Sequence, residues 1–175
     1  MSQPSVFPGG GVRGAKAFRA ALPLTLLLAG AAGAQAQQIR TLPGSSCQAS
    51  GSAQDLYYSS VSIANRGAGA RSAVCPIERE KPLAALSWIA VVLNDRHSAQ
   101  NVTCVAEARD VTGTAGTGWS ETHSSVGEGI QVLAFGPPPA GTVPDYGPYV
   151  LVCSIPAMEE VNQPSFISSI LIAEP

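Results

Sequence analysis

The residues able to do chemistry in this chain are few. They are four cysteines, two histidines and some scattered carboxylates. In "RSAVCPIERE" (residues 71–80) Cys75 precedes a proline and alternating charges, and its type admits a nucleophile, a metal ligand or half of a disulfide. Structural zinc draws cysteines or histidines two to four residues apart, because one tight turn must present two ligands to one ion. Cys47, Cys75, Cys104 and Cys153 are far apart, and neither His97 nor His123 has such a neighbour. No D-x-D-x-D-G loop is present, so calcium would have to gather loop carboxylates such as Asp95, Asp110 and Asp145. No metal or cofactor is expected.

Nucleophilic catalysis needs a base beside the nucleophile and donors for an oxyanion. The G-x-S-x-G elbow is absent, so a hydrolase would have to use one of the two histidines. His123, in "WSETHSS", lies among hydroxyls and one carboxylate. On an alternating strand it shares a face with Trp119 and Glu121, while Ser120, Thr122 and Ser124 point away. His97, in "NDRHSAQN", reads as a solvated turn residue. Glu78 and Glu80 share a strand-like face, the geometry a glycosidase pair would need. Interleaved with Arg79 and Lys81, they read as a charged edge in solvent. No catalytic residue is predicted. For binding, the aromatics Tyr57, Tyr58, Trp119 and Tyr146 are the candidates to stack on a ligand, and Tyr149 is a further aromatic near the last of them.

The elements that must position these residues read as strands. Apolar and polar residues alternate, and Gly, Pro, Ser or Asn clusters interrupt them about every ten residues, the signature of an all-β domain. Strands are predicted over Asp55–Asn65, Arg71–Ile77, Ala85–Asp95, Asn101–Val111, Trp119–Ser125, Ile130–Gly136, Tyr149–Ile155 and Ser165–Glu174. "ALSWIAVVLND" is apolar on both faces and reads as a central strand. Pro76 marks its own strand as an edge, a bulge or an end. About eight strands without crossover helices predict an antiparallel β-sandwich, with a small barrel as the alternative.

Arg13, Lys16 and Arg19 precede an apolar run from Ala20 to Ala34, which is shorter than the roughly 20 residues a spanning helix needs. With small residues at Ala34 and Ala36, residues 1–36 read as a secretory signal peptide cleaved after Ala36. Residues 37–175 then form a single disulfide-bonded β domain with no membrane anchor. Without the three basic leader residues, seven Lys and Arg face twelve Asp and Glu, a net charge of about −5. That surface lacks the basic footprint of a nucleic-acid binder. An even cysteine count in an exported chain predicts two disulfides, of which three connectivities are open. The sequential one, Cys47–Cys75 and Cys104–Cys153, is our expectation. Cys104 and Cys153 both fall on inward faces, which favours a buried bridge between their strands.

"LPGSSCQ", "VCPIER", "VVLNDR", "NVTC", "QVLAF", "YVLVCSIP" and "ILIAE" occur in one order along the chain. This order resembles a loose group of small exported proteins from Gram-negative bacteria with four cysteines and a β-sandwich fold. The resemblance implies export and fold and supplies no activity, substrate or site residue. The sequence thus points to a secreted or periplasmic, non-catalytic β-sandwich that binds a glycan or a surface protein or serves a structural role. Two other readings stay open: a small hydrolase using His123, and a surface-assembly subunit joined through an edge strand.

Overall fold

A period of two buries one face of each long strand, and the burial follows the sequence closely. In the computed structural model, which describes residues 37–51, 55–81, 83–110, 112, 118–143 and 146–175, eleven strands form. The expected signal peptide, residues 1–36, lies outside the described residues. The strands are β1 (Gln38–Pro43), β2 (Gln48–Ala49), β3 (Leu56–Tyr58), β4 (Ile63–Asn65), β5 (Arg71–Ile77) and β6 (Trp88–Asp95). They continue as β7 (Thr103–Ala108), β8 (Ser120–Ser124), β9 (Gly129–Phe135), β10 (Tyr149–Ile155) and β11 (Phe166–Glu174). No helix among the described residues is long and apolar enough to cross a membrane.

The strands make two antiparallel sheets. One runs β2-β5-β10-β7-β8. The other runs β3-β4-β11-β6-β9, with β1 also paired to β11. Strand β4 takes Phe166 and Ile167 of β11, and β1 takes Ser169–Glu174 farther along. Both sheets stay open, so the architecture is a sandwich and the small-barrel alternative does not hold. Between the sheets lies one core. β10 contributes Tyr149, Leu151, Cys153 and Ile155, opposed by Ile89, Val91 and Leu93 of β6 and by Ile167, Ile170 and Ile172 of β11.

Both disulfides lie on the core face of the five-stranded sheet. Cys104 and Cys153 are directly opposite in the β7–β10 register, with Cα atoms 4.0 Å apart. Cys47 and Cys75 join the start of β2 to β5 at the same separation. The sequential pairing is the observed one, and no described cysteine is free.

One predicted strand is observed as two, and the stretch before it holds elements that were not predicted. Asp55–Asn65 is a hairpin, β3 and β4, because Ser59 closes a turn: its Oγ accepts the Val61 and Ser62 amides at 3.2 and 2.9 Å. "LPGSSC" holds the end of β1 and a 3-10 turn, Gly44–Ser46, which crosses from β11 to β5. Gly44 is required at that crossing, since a Cβ there would lie 2.1 Å from the Ile167 carbonyl oxygen.

Candidate functional site

Where β5 ends and β10 begins, the strand ends and the loops that continue them line an open cleft of about 480 Å³. Pro76, Glu78 and Arg79 line it from one side, and Tyr146, Pro148 and Val150 from the other. Period two explains how Arg79 comes to turn inward: Cys75 and Ile77 face the core, and the next position on that face is Arg79. Its Nη1 donates to the Ala84 carbonyl at 3.2 Å, and its Nη2 donates to the Gly147 carbonyl at 2.6 Å. The guanidinium carbon lies 5.3 Å from the centre of the Tyr149 ring, where the ring quadrupole attracts it. A guanidinium offers several donors in a fixed fork, so Arg79 ties the loop before β10 to the loop after β5.

Tyr149 is fully buried beneath this clamp. The Leu86 amide donates to its hydroxyl at 3.4 Å, and Trp119 meets its ring edge-on with centroids 6.2 Å apart. Burial raises its pKa above 10.0, while the Leu86 bond and the Arg79 charge pull weakly the other way. The phenol is therefore neutral at physiological pH and serves as the floor.

Tyr146 stands above that floor. Its backbone is left-handed, φ 59°, and its side chain is 65% exposed. A non-glycine residue held there costs on the order of 1 kcal/mol. The adjacent Gly147, which would adopt that conformation freely, does not. The strain therefore falls on the residue that presents a ring to the cleft.

At the rim, the Glu78 carbonyl accepts a hydrogen bond from Arg40 Nη2. Arg40 also donates to Glu174 Oε1 at 3.0 Å and lies 3.4 Å from Glu80. Glu174 is 2% exposed and also accepts the Glu80 and Lys81 amides at 3.0 and 3.3 Å. Glu80 thus belongs to the structural network around Glu174. The segment read as a solvated edge is held inward at Arg79 and fixed by Glu174. Alternation could have found both, since Ile170, Ile172 and Glu174 share one face as Cys75, Ile77 and Arg79 do.

The structure divides the four sequence-predicted aromatics. Tyr146 lines the cleft, and half-buried Trp119 contributes beneath it. Tyr57 and Tyr58 lie on β3 toward the Arg71 end of β5, about 20 Å away along that strand. Tyr57 already carries the Arg66 guanidinium 3.6 Å from its ring centre. Tyr58 accepts the Ala49 amide at 2.9 Å and joins the two sheets.

His123 sits on the inner face of β8 beside the edge strand β9. Its Nε2 pairs with Glu121 Oε1 at 2.7 Å, and its ring meets Phe135 edge-on at 5.0 Å. The other Glu121 oxygen accepts the Gly136 amide at 3.0 Å. Ser124 faces the opposite side, where its hydroxyl bonds that of Thr103 at 2.8 Å. The imidazole thus has an orienting carboxylate, and the hydroxyls of its own strand point away from it.

His97 shapes a turn. Its Nδ1 accepts the Ala99 and Gln100 amides, each at 3.1 Å. A nitrogen that accepts carries no proton, so its 3.3 Å approach to Glu159 is not a proton-bridged pair. The Ser98 amide and hydroxyl instead hold Glu159, each at 2.7 Å, and lower its pKa, with His97 adding least.

Of the carboxylates weighed for calcium, Asp95 is buried and already filled by protein donors, Asp110 accepts the Thr112 amide and hydroxyl, and Asp145 lies outside the described residues. Among the described residues no three His, Cys, Asp or Glu side chains gather to hold an ion.

No family model matches this sequence, and no curated protein matches it. Among solved structures, the chain is similar to a Podospora anserina GH26-CBM35 β-(1,4)-mannanase at 12% identity and TM-score 0.47, covering 78% of this chain and 28% of that one. It is similar to the low-affinity xylan-binding module CBM86 from Roseburia intestinalis at 7% identity and TM-score 0.47, covering 79% and 96%. It is also similar to a xylan-binding module, CBM15, at 17% identity and TM-score 0.43, covering 79% and 97%. At these scores the likenesses decide neither ligand nor activity.

Proposed function

We propose that this chain is an exported, non-catalytic β-sandwich binding module, that its site is the cleft between β5 and β10, and that its ligand is a neutral glycan. One observation carries the reading: a tyrosine held at φ 59° and 65% exposed over a pre-formed cleft. The Arg79 clamp holds the Gly147 carbonyl next to it, so the backbone that presents the ring is fixed before a ligand arrives. An aromatic ring offers an apolar face to the C–H face of a sugar, and the Glu78 carboxylate at the rim can accept from hydroxyls. The net charge of about −5 over residues 37–175 disfavours polyanions. Two buried disulfides support an oxidising compartment, periplasmic or extracellular.

The test is affinity electrophoresis and calorimetry with neutral plant and microbial polysaccharides, comparing the native protein with Tyr146→Ala and Tyr57→Ala. Loss of one stacking aromatic should weaken binding about tenfold or more in Tyr146→Ala and leave Tyr57→Ala near native. Binding to none of the glycans, or equal binding by Tyr146→Ala, would overturn the site. The 2.7 Å Glu121–His123 pair favours a second reading, a hydrolase with an oriented base. Turnover of generic esters or glycans that disappears in His123→Ala would put that reading in first place.

A further inference from the structure

We infer that the outer face of the six-stranded sheet is the interface between two copies of this chain. Strand β6 is apolar on both sides. Ile89, Val91 and Leu93 fill the core, while Trp88, Ala90 and Val92 point out of the sandwich. The registers extend that outward row across the sheet. Val92 is level with Val132 on one side and with Ser169 and Pro43 on the other. Ala90 is level with Ala134, Leu171 and Thr41, and Trp88 with Ala173 and Ile39. At the far end Asn94 is level with Ile130 and Phe166. None of these positions is charged, and Arg96 borders the row at its far end beside Asn94 and Phe166. Ile39, Ile130 and Val132 are 56%, 77% and 59% exposed, which is costly for large apolar side chains in water.

Three features select a second copy as the occupant. The face is four strands wide and about seven residues long, roughly 19 by 23 Å. Two such faces together would remove on the order of 1,000 Å² from water, the size at which specific interfaces begin. The face is a sheet surface, and sheets stack face to face at about 10 Å. A two-fold interface requires a face that can lie against its own copy, and a row of uncharged, largely apolar side chains meets that requirement. Finally, residues 37–175 hold twelve Asp and Glu against seven Lys and Arg, and the level positions of this face carry no carboxylate, Glu128 standing only at its Asn94–Ile130 margin. Edge pairing is less well provided for. β2 and β3 are two and three residues long and β8 lies against β9, which leaves β1, six residues ending in Pro43, as the one longer edge.

Sedimentation velocity of protein purified from expression of the full-length chain, from about 1 to 200 µM, tests this. The native protein should show a monomer–dimer equilibrium. Val132→Lys, which places a charge halfway along the β9 margin of the buried face, should weaken it about 100-fold. Val126→Lys, in the β8–β9 turn, should dimerise as the native protein does. If Val132→Lys fails to fold by circular dichroism, Ile39→Lys on β1 makes the same test. A native protein that stays monomeric throughout overturns the inference, and so does a dimer that the charged-face variant leaves intact.

Discussion

A carboxylate with no exposed surface, Asp95, sits at the end of β6 and gathers chain from three directions. Its Oδ2 accepts the Val102 amide at 3.1 Å and the Ser125 hydroxyl, and its Oδ1 accepts the His97 amide at 3.1 Å and the Ser165 hydroxyl at 3.0 Å. Ser125 follows β8 in one sheet, and Ser165 precedes β11 in the other. The residue therefore fastens the two sheets at this end. Asp95→Ala removes the acceptor of four donors, of which Val102 and Ser125 retain each other, and the cost should be about 3 kcal/mol in urea unfolding of the oxidised protein. A loss below about 1 kcal/mol would contradict the role. Nothing local reveals it. In "LNDRH" an aspartate after an apolar run has the look of a turn residue, and its partners stand 7, 30 and 70 positions later in the sequence. Arg79 and Glu174 were different, because period two already placed them inward and only their charge argued otherwise.

At the scale of elements, the two disulfides act within one sheet. Each pairs adjacent strands, β2 with β5 and β7 with β10, and neither joins the five-stranded sheet to the other. Their loops, 47–75 and 104–153, do not overlap in sequence. The chain-entropy estimate gives about 3.5 kcal/mol for the shorter and about 4 kcal/mol for the longer. Replacing both cysteines of one bridge with Ala should cost roughly these amounts, and removing both bridges should cost close to the total, because disjoint loops constrain separate parts of the unfolded chain. Denaturant titration of the three variants checks this, and a second deletion that costs nothing after the first would sink it. The strands carrying these bridges were readable because Ala73, Cys75 and Ile77, or Cys104, Ala106 and Ala108, alternate without interruption. β1 was not readable. Its pairing with β11 spans more than a hundred residues, and its end runs into a glycine-serine turn.

At the scale of the whole molecule, patterning was enough to name an antiparallel sandwich, because eight punctuated strands without helices leave little else. Strand order was out of reach, since β11 lies between β6 and both β4 and β1, contacts that no local pattern encodes. The candidate site was half visible. Tyr146 was legible as an aromatic in a proline-rich loop, but its partner Arg79 and its separation from Tyr57 needed the register of β5 against β10. That same topology puts Gln38 and Glu174 opposite each other as the first and last residues of paired strands. A pull on the protein through these two residues would open the β1–β11 ladder one hydrogen bond at a time. A pull through Gln38 and Ser169 would load the whole ladder at once. Single-molecule stretching should therefore find a lower rupture force for the first pair of handles, with β1 peeling away until Cys47, bound to Cys75, stops the extension.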